Sequence, residues 1–205
     1  MAELSGVAST EAGMLAIWAP EEFAGIVDQP SWAAELGTED GIRARIEAGG
    51  LVPINIGGNG AWQVVLRAGG PEAPGGGLGL SAPEMPGGGA GLSAREERYV
   101  MLSSEPYLLV CHGMVHVGGI EEVSGRPADT GLPLPPGRYS VSIHLIEWDA
   151  EPGSRDAQGQ PTEDALPDFV VLLELDYRLG ARVPPAGSAL APVYRRELLT
   201  FGAAG

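Results

Sequence analysis

The stretch Arg138-Tyr-Ser-Val-Ser-Ile-His-Leu-Ile-Glu-Trp148 alternates strictly: Val141, Ile143 and Leu145 fall on one side of an extended chain, and Ser140, Ser142 and His144 on the other. A period of two over this length marks a strand with one buried face. Pro135-Pro136-Gly137 sets a turn before it. Downstream, residues 168–177 form a continuous Val- and Leu-rich run, which reads as a central strand. These two strands fix the fold class as mainly β, and the rest of the chain is read against them.

Working outward, residues 13–19 (Met14-Leu15-Ala16-Ile17-Trp18 at their centre) read as a short buried strand. Pro20 opens a helical turn over 21–27, with acids in its first turn where the helix dipole favours them. Ser31 is expected to cap a short helix over 32–36, and Thr38 a longer one over Glu39–Ala48, with Gly49 as its stop. From Leu51 the period becomes strand-like. Residues 51–56 and 61–67, joined by Gly57-Gly58-Asn59-Gly60, are expected to form a β-hairpin. Residues 98–103 give another strand. Tyr107–Cys111 and 114–117 are expected to pair as a tight hairpin about His112-Gly113, and 193–201 is read as an edge strand. About eight strands without regular β-α alternation predict a mainly β (α+β) fold: an antiparallel β-sandwich or partly open barrel with short N-terminal helices. A doubly wound nucleotide fold is disfavoured.

One stretch interrupts the pattern. Residues 69–91 hold ten Gly and four Pro, and Pro74-Gly-Gly-Gly-Leu-Gly-Leu-Ser-Ala82 recurs as Pro86 to Ala94 with one change, Leu78 to Ala90. Twelve residues built on Gly-Gly-Gly cannot bury a face, so 69–94 reads as a duplicated low-complexity insertion within a single domain spanning 1–205. A phosphate-cradling loop would need a following helix N-terminus and usually a Lys, and the chain has no Lys.

Charge narrows the function. The chain has 205 residues, with 27 acids against 12 bases, for a formal net charge of −15 and a pI near 4.4. That balance disfavours nucleic acid, whose phosphates must be neutralised by Lys and Arg, and an anionic membrane surface. Cys111 stands alone, which excludes an intrachain disulfide and fits a reducing compartment. With no basic leader and no apolar run long enough to span a bilayer, a cytoplasmic protein is expected. The acidity is concentrated: residues 1–48 carry −7 and 147–176 carry −8, whereas 177–205 carry +3. The N-terminal share is ascribed to helix starts. The later share lies in a loop between the two strongest strands.

That loop is the candidate site. Trp148, Asp149, Glu151, Asp156, Glu163 and Asp164 are the candidate partner-binding residues. Long ordered loops are often functional, and an aromatic beside acids suits an interface. A merely solvated loop and a Ca²⁺ site remain as alternatives, although no EF-hand order is present. Asp156-Ala-Gln-Gly159 has the form of an Asx-type turn. Cys111 is expected to be a small buried apolar residue, and His112 to sit exposed at a turn. His116 and His144 are the alternative: if they meet across strands, they suit a metal-dependent or small-molecule enzyme. No hydrolase elbow, zinc-helix spacing or dinucleotide fingerprint accompanies them. No catalytic residue, metal ligand or cofactor is assigned.

Two segments carry a resemblance. Leu134-Pro-Pro-Gly-Arg-Tyr-Ser-Val-Ser-Ile143, then Glu147-Trp-Asp149 and Ala165-Leu-Pro-Asp-Phe-Val-Val-Leu-Leu173, resemble a group of uncharacterised bacterial β-rich proteins. The helix-then-sheet order and the Pro-Gly-Arg-Tyr strand are more distantly similar to the competence protein J family, small acidic proteins that inhibit a partner nuclease. The resemblance implies a non-enzymatic role and carries over no catalytic residue; the −7 and −8 concentrated in two segments point to an immunity-type inhibitor with a basic protein partner.

Overall fold

The structure, a computed structural model, describes residues 2–69, 90–126 and 131–176; most of the duplicated insertion and the expected strand at 193–201 lie outside the described residues. The described strands are β1 (Ala2–Thr10), β2 (Met14–Trp18), β3 (Leu51–Asn55), β4 (Gly60–Ala68), β5 (Val100–Ser103), β6 (Tyr107–Cys111), β7 (Met114–Gly119), β8 (Leu132–Pro133), β9 (Gly137–Ile146) and β10 (Phe169–Leu175). Helices α1 (Gln29–Leu36) and α2 (Glu39–Ala48) lie between β2 and β3, and the single turn α3 (Ala94–Glu97) precedes β5. The strands form two sheets, one ordered β1-β4-β10-β9-β5 with β6 also on β9, the other β3-β2-β7-β8. The mainly β class with short helices is as expected. One pair departs from an antiparallel arrangement: β10 runs parallel to β4.

Two of the expected hairpins are corners instead. Residues 51–56 and 61–67 are strands, but β3 pairs with β2 in one sheet while β4 pairs with β1 in the other. The glycines 57, 58 and 60 therefore carry one long strand from sheet to sheet, opposite Gly13, where the partner strand bends too. Gly13 and Gly57 both adopt positive φ, and the Gly13 carbonyl accepts from the N–H groups of Ile56 and Gly57. The same construction recurs at His112-Gly113. There β6 pairs with β9 and β7 with β8, while the Leu134 N–H donates to the Gly113 carbonyl. The fold is thus two long hairpins, each bent across both sheets, with strands changing sheet at glycine corners. The Tyr139 hydroxyl donates to the Pro135 carbonyl at 2.8 Å, a tyrosine-corner contact that fixes the entry to β9.

The helices cap much as their sequences dictate. Thr38 accepts from Gly41 N at the start of α2, and Gly49 closes it at φ +80°. For α1 the cap is Asp28 rather than Ser31: Ser31 sits three residues on and returns a bond to the Asp28 N–H, completing a capping box. The acidic N-terminal segment also includes a strand the composition hides. In β1 the half-buried and buried positions are Ala2, Leu4, Ala8 and Thr10, while Val7 points out.

Between the sheets lies the main core, with Ile17, Phe23, Leu66, Tyr107, Tyr139, Val141, Ile143, Val171 and Leu173 in its interior. A second, smaller core covers the outer face of the larger sheet. It joins Ile146, Val170 and Leu172 to Ala90 and Leu166, with Leu92, Tyr99, Val100 and Trp148 packed against them. This explains the unbroken apolar run of β10, since alternate residues enter different cores and both faces need apolar side chains. The last residues of the duplicated insertion belong to this layer. Ala90 is buried in it and Ser93 caps α3.

Candidate functional site

Residues 147–168 link β9 to β10 and lie beside the second core. Trp148 opens the loop in a 3-10 turn, half-buried, with its Nε1–H donating to Asp168 Oδ1 at 3.0 Å. The other Asp168 oxygen accepts from the Gln63 N–H of β4 at 2.7 Å. Asp168 therefore ties both ends of the loop to the sheet. Burial pushes its carboxyl above the ordinary aspartate value, a shift those bonds offset only in part.

The acids divide by what holds them. Asp149 accepts from Arg155 Nη2 at 2.6 Å, and the Arg155 guanidinium lies 5.0 Å from the centre of the Trp148 ring. Glu151 is gripped bidentately by Arg95 of α3, at 2.7 and 2.6 Å, and this pairing holds its carboxyl below the usual glutamate value. Arg95 also donates to the Asp164 carbonyl at 2.7 Å. Asp156 Oδ1 accepts from Gln158 N and Gln160 N, and the Gly159 N–H donates to the Asp156 carbonyl, so the expected Asx-type turn is present. The side chains of Glu163 and Asp164 are exposed, and neither forms an ion pair among the described residues. Asp149 and Asp156 remain exposed despite their bonds, whereas Trp148 and Glu151 face inward as fasteners.

Three organisers of this loop escape a reading of the sequence: Arg95, Arg155 and Asp168. Arg155 had a visible signal, being the lone base in an acidic run. Arg95 had none, because it adjoins the low-complexity stretch, far from the loop in sequence. Its position depends on α3, which is clipped to the sheet by a buried ion pair. Arg67 of β4 donates to both oxygens of Glu96 at 2.7 and 2.9 Å, and its Nε–H donates to Glu3 of β1. Burial raises the Glu96 carboxyl, but the Arg67 guanidinium and the Ser93 N–H and hydroxyl outweigh it, and the net position is below the ordinary value.

The histidines do not converge. His144, on the outer face of β9, lies between the hydroxyls of Ser103 (2.8 Å from Nδ1) and Ser142 (3.3 Å from Nε2), and burial depresses its basicity. His116 is buried on β7 in the other sheet, with its ring 5.7 Å from that of Trp18. The shared His116/His144 site is thus corrected: alternating side chains send His144 away from the inter-sheet core, and His116 has different neighbours. His112 is exposed and contacts Glu22 at 2.7 Å. Cys111 is buried, which raises its thiol pKa. Among the described residues no three His, Cys, Asp or Glu side chains are grouped to hold a metal ion, and no helix is long and apolar enough to cross a membrane.

Neither a protein-family model nor a curated protein matches the chain. Among solved structures it is similar to crocagin biosynthetic gene J, at 19% identity and a TM-score of 0.49 over 85% of this chain and 96% of that one. It is also similar to ComJ from Bacillus subtilis, an inhibitor of the DNA-degrading activity of NucA, at 9% identity and a TM-score of 0.41 over 84% of this chain and 96% of that one. The second meets the expected distant similarity to competence protein J. These likenesses assign no residue a role.

Proposed function

We propose that this chain is a cytoplasmic, non-enzymatic protein-binding module whose 147–168 loop captures a basic protein partner, in the manner of an inhibitor covering a positively charged site. The observation that carries this reading is an acidic loop that is also fixed. Asp149, Asp156, Glu163 and Asp164 present carboxylates to solvent, while Arg95, Arg155, Trp148 and Asp168 hold the backbone that bears them. A pre-organised loop loses little conformational entropy on binding. Concentrated charge of one sign speeds encounter with a partner of the other and rejects acidic competitors. In this reading Trp148 and Glu151 position the surface, and Glu163 and Asp164 meet the partner.

The test is capture of a basic protein from extract of the source cells by immobilised wild type and by a Glu163→Lys/Asp164→Lys variant. The wild type should retain a basic protein at low ionic strength, and the variant should lose it while melting at the same temperature. Retention of no basic protein, or equal retention by both, refutes the reading.

A further inference from the structure

Among the strands that end the two sheets, β3, β5 and β8 are guarded against a further strand. Strand β5 carries a bulge between Val100 and Leu102, β3 holds Pro53, and β8 is two residues long. Strand β1, which ends the larger sheet, has none of these protections. It is nine residues long, keeps unbroken register with β4 from Ala2 to Thr10, and contains neither Pro nor Lys. The direction of its free backbone groups follows from β4. The Gln63 N–H donates to Asp168 and the Gly69 N–H to the Leu173 carbonyl, so odd-numbered residues at this strand turn toward β10. Their partners in β1 (Glu3, Ser5, Val7 and Ser9) therefore turn their N–H and C=O groups to the open edge. Among the described residues no hydrogen bond reaches the backbone of Glu3, Ser5 or Val7 from that side.

The exposed run is Glu3, Ser5, Gly6 and Val7, centred on Ser5, with Leu4 half-buried. Beyond it Ala8 and Thr10 are buried, and the Thr10 hydroxyl donates to Glu121. We infer that this edge pairs with the same edge of a second copy of the chain, antiparallel about a two-fold axis through Ser5. In that register Ser5 faces Ser5, and Glu3 of each copy faces Val7 of the other. All of these pairs join residues whose backbone groups point outward, as hydrogen-bonded pairs require. The even positions fit as well. Leu4 of each copy falls opposite Gly6 of the other on the inner face, where a Cβ at Gly6 would meet no atom within 4 Å. Charge permits the seam despite the −15 of each copy. Glu3 is the sole charged side chain of β1, is paired with Arg67 at 2.7 Å, and lies opposite a valine rather than its own copy. A basic foreign strand would find here only a carboxylate already matched, so a second copy is the better occupant. Two-fold pairing also covers the edge of both copies at once. The seam uses no residue of 147–168, so the inference stands or falls apart from the loop and its partner.

Sedimentation of the full chain over a range of concentrations should show a reversible monomer–dimer equilibrium. Ser5→Pro removes an N–H that points outward and none that bonds β4, and should raise the dissociation constant about tenfold or more. Ser5→Lys sets two like charges face to face on an exposed position, and should raise it about threefold with the circular dichroism spectrum unchanged. Register is read by cross-linking. The facing Ser5 Cα atoms would lie roughly 5.5 Å apart, within disulfide reach, whereas Val7 would lie roughly 14 Å from its own copy. Mild oxidation should therefore join Ser5→Cys into a covalent dimer and leave Val7→Cys monomeric, with Cys111 buried in both. A chain that stays monomeric at every concentration, a dimer indifferent to both Ser5 substitutions, or Val7→Cys that cross-links as readily as Ser5→Cys overturns the inference.

Discussion

Glu96→Gln removes one charge and little else. Glutamine at the third helical position still serves a capping box, so α3 retains its start. What is lost is the charged, two-point bond to Arg67, made by a Glu96 side chain only 4% exposed against an Arg67 side chain 16% exposed. Breaking a buried pair by removing one partner costs roughly 3–5 kcal/mol. Arg67 keeps Glu3 and some contact with water, so the expected loss here is about 2–3 kcal/mol. At about 2–4 °C per kcal/mol for a chain of this size, the melting temperature should fall by about 4–12 °C. The loss should also depend on pH. The folded carboxyl sits below its ordinary 4.5, so its stabilisation is complete above that value and disappears as pH falls through the depressed folded value. Urea unfolding followed by circular dichroism should show the gap between wild type and Glu96→Gln closing in acid. The double variant Arg67→Met/Glu96→Leu should recover most of the loss, because an apolar pair leaves no buried charge unmatched. A loss under about 0.5 kcal/mol at neutral pH, or one that persists in acid, refutes the assignment of this pair as the clip holding α3.

Further outcomes follow from the same packing. Gly49→Ala should destabilise by about 1–2 kcal/mol from positive φ alone, and by more because the new methyl would lie 2.8 Å from Leu108 Cγ; chemical denaturation measures it. The Trp148 indole N–H resonance should titrate with Asp168 at a pH above the ordinary aspartate value of 3.8. Asp168→Asn should abolish that titration and loosen the loop, since Gln63 and Trp148 donate to different carboxylate oxygens and the amide replaces one of them with an NH2 donor. Because the folded pKa of Asp168 is raised, its own contribution favours folding below the unfolded value and declines as pH rises through the folded one. Cys111 should resist alkylation until the chain unfolds, as burial both hides the thiol and disfavours the thiolate.

The strands differ in how legible they were in the sequence. Strand β9 was, because one of its faces enters the main core and the other is mostly polar. Strand β10 was, because two cores demand an unbroken apolar run. Pairing was less so: a glycine cluster announces that the chain changes direction, not whether it doubles back or bends into a second sheet. Glycines 57, 58 and 60, and Gly113, mark bends. Strand β1 stayed hidden because, Leu4 apart, its inward side chains are small and its most apolar outward one, Val7, meets solvent. In the loop, length and charge marked the candidate site. The exposed pair Glu163 and Asp164 was visible among its acids, but the fixation was not. It depends on Arg95 and Gln63, which contact the loop only because α3 and β4 lie on the same sheet as β9 and β10.

Binding of a basic protein by the exposed acids of this fixed loop would be driven by charge. Its most direct measurement is the affinity of the captured partner for wild type and for Glu163→Lys/Asp164→Lys across ionic strength. The wild type should bind tightly and weaken steeply as salt rises, and the variant should be weaker by about tenfold or more at low salt. Equal affinities with no dependence on salt would contradict it.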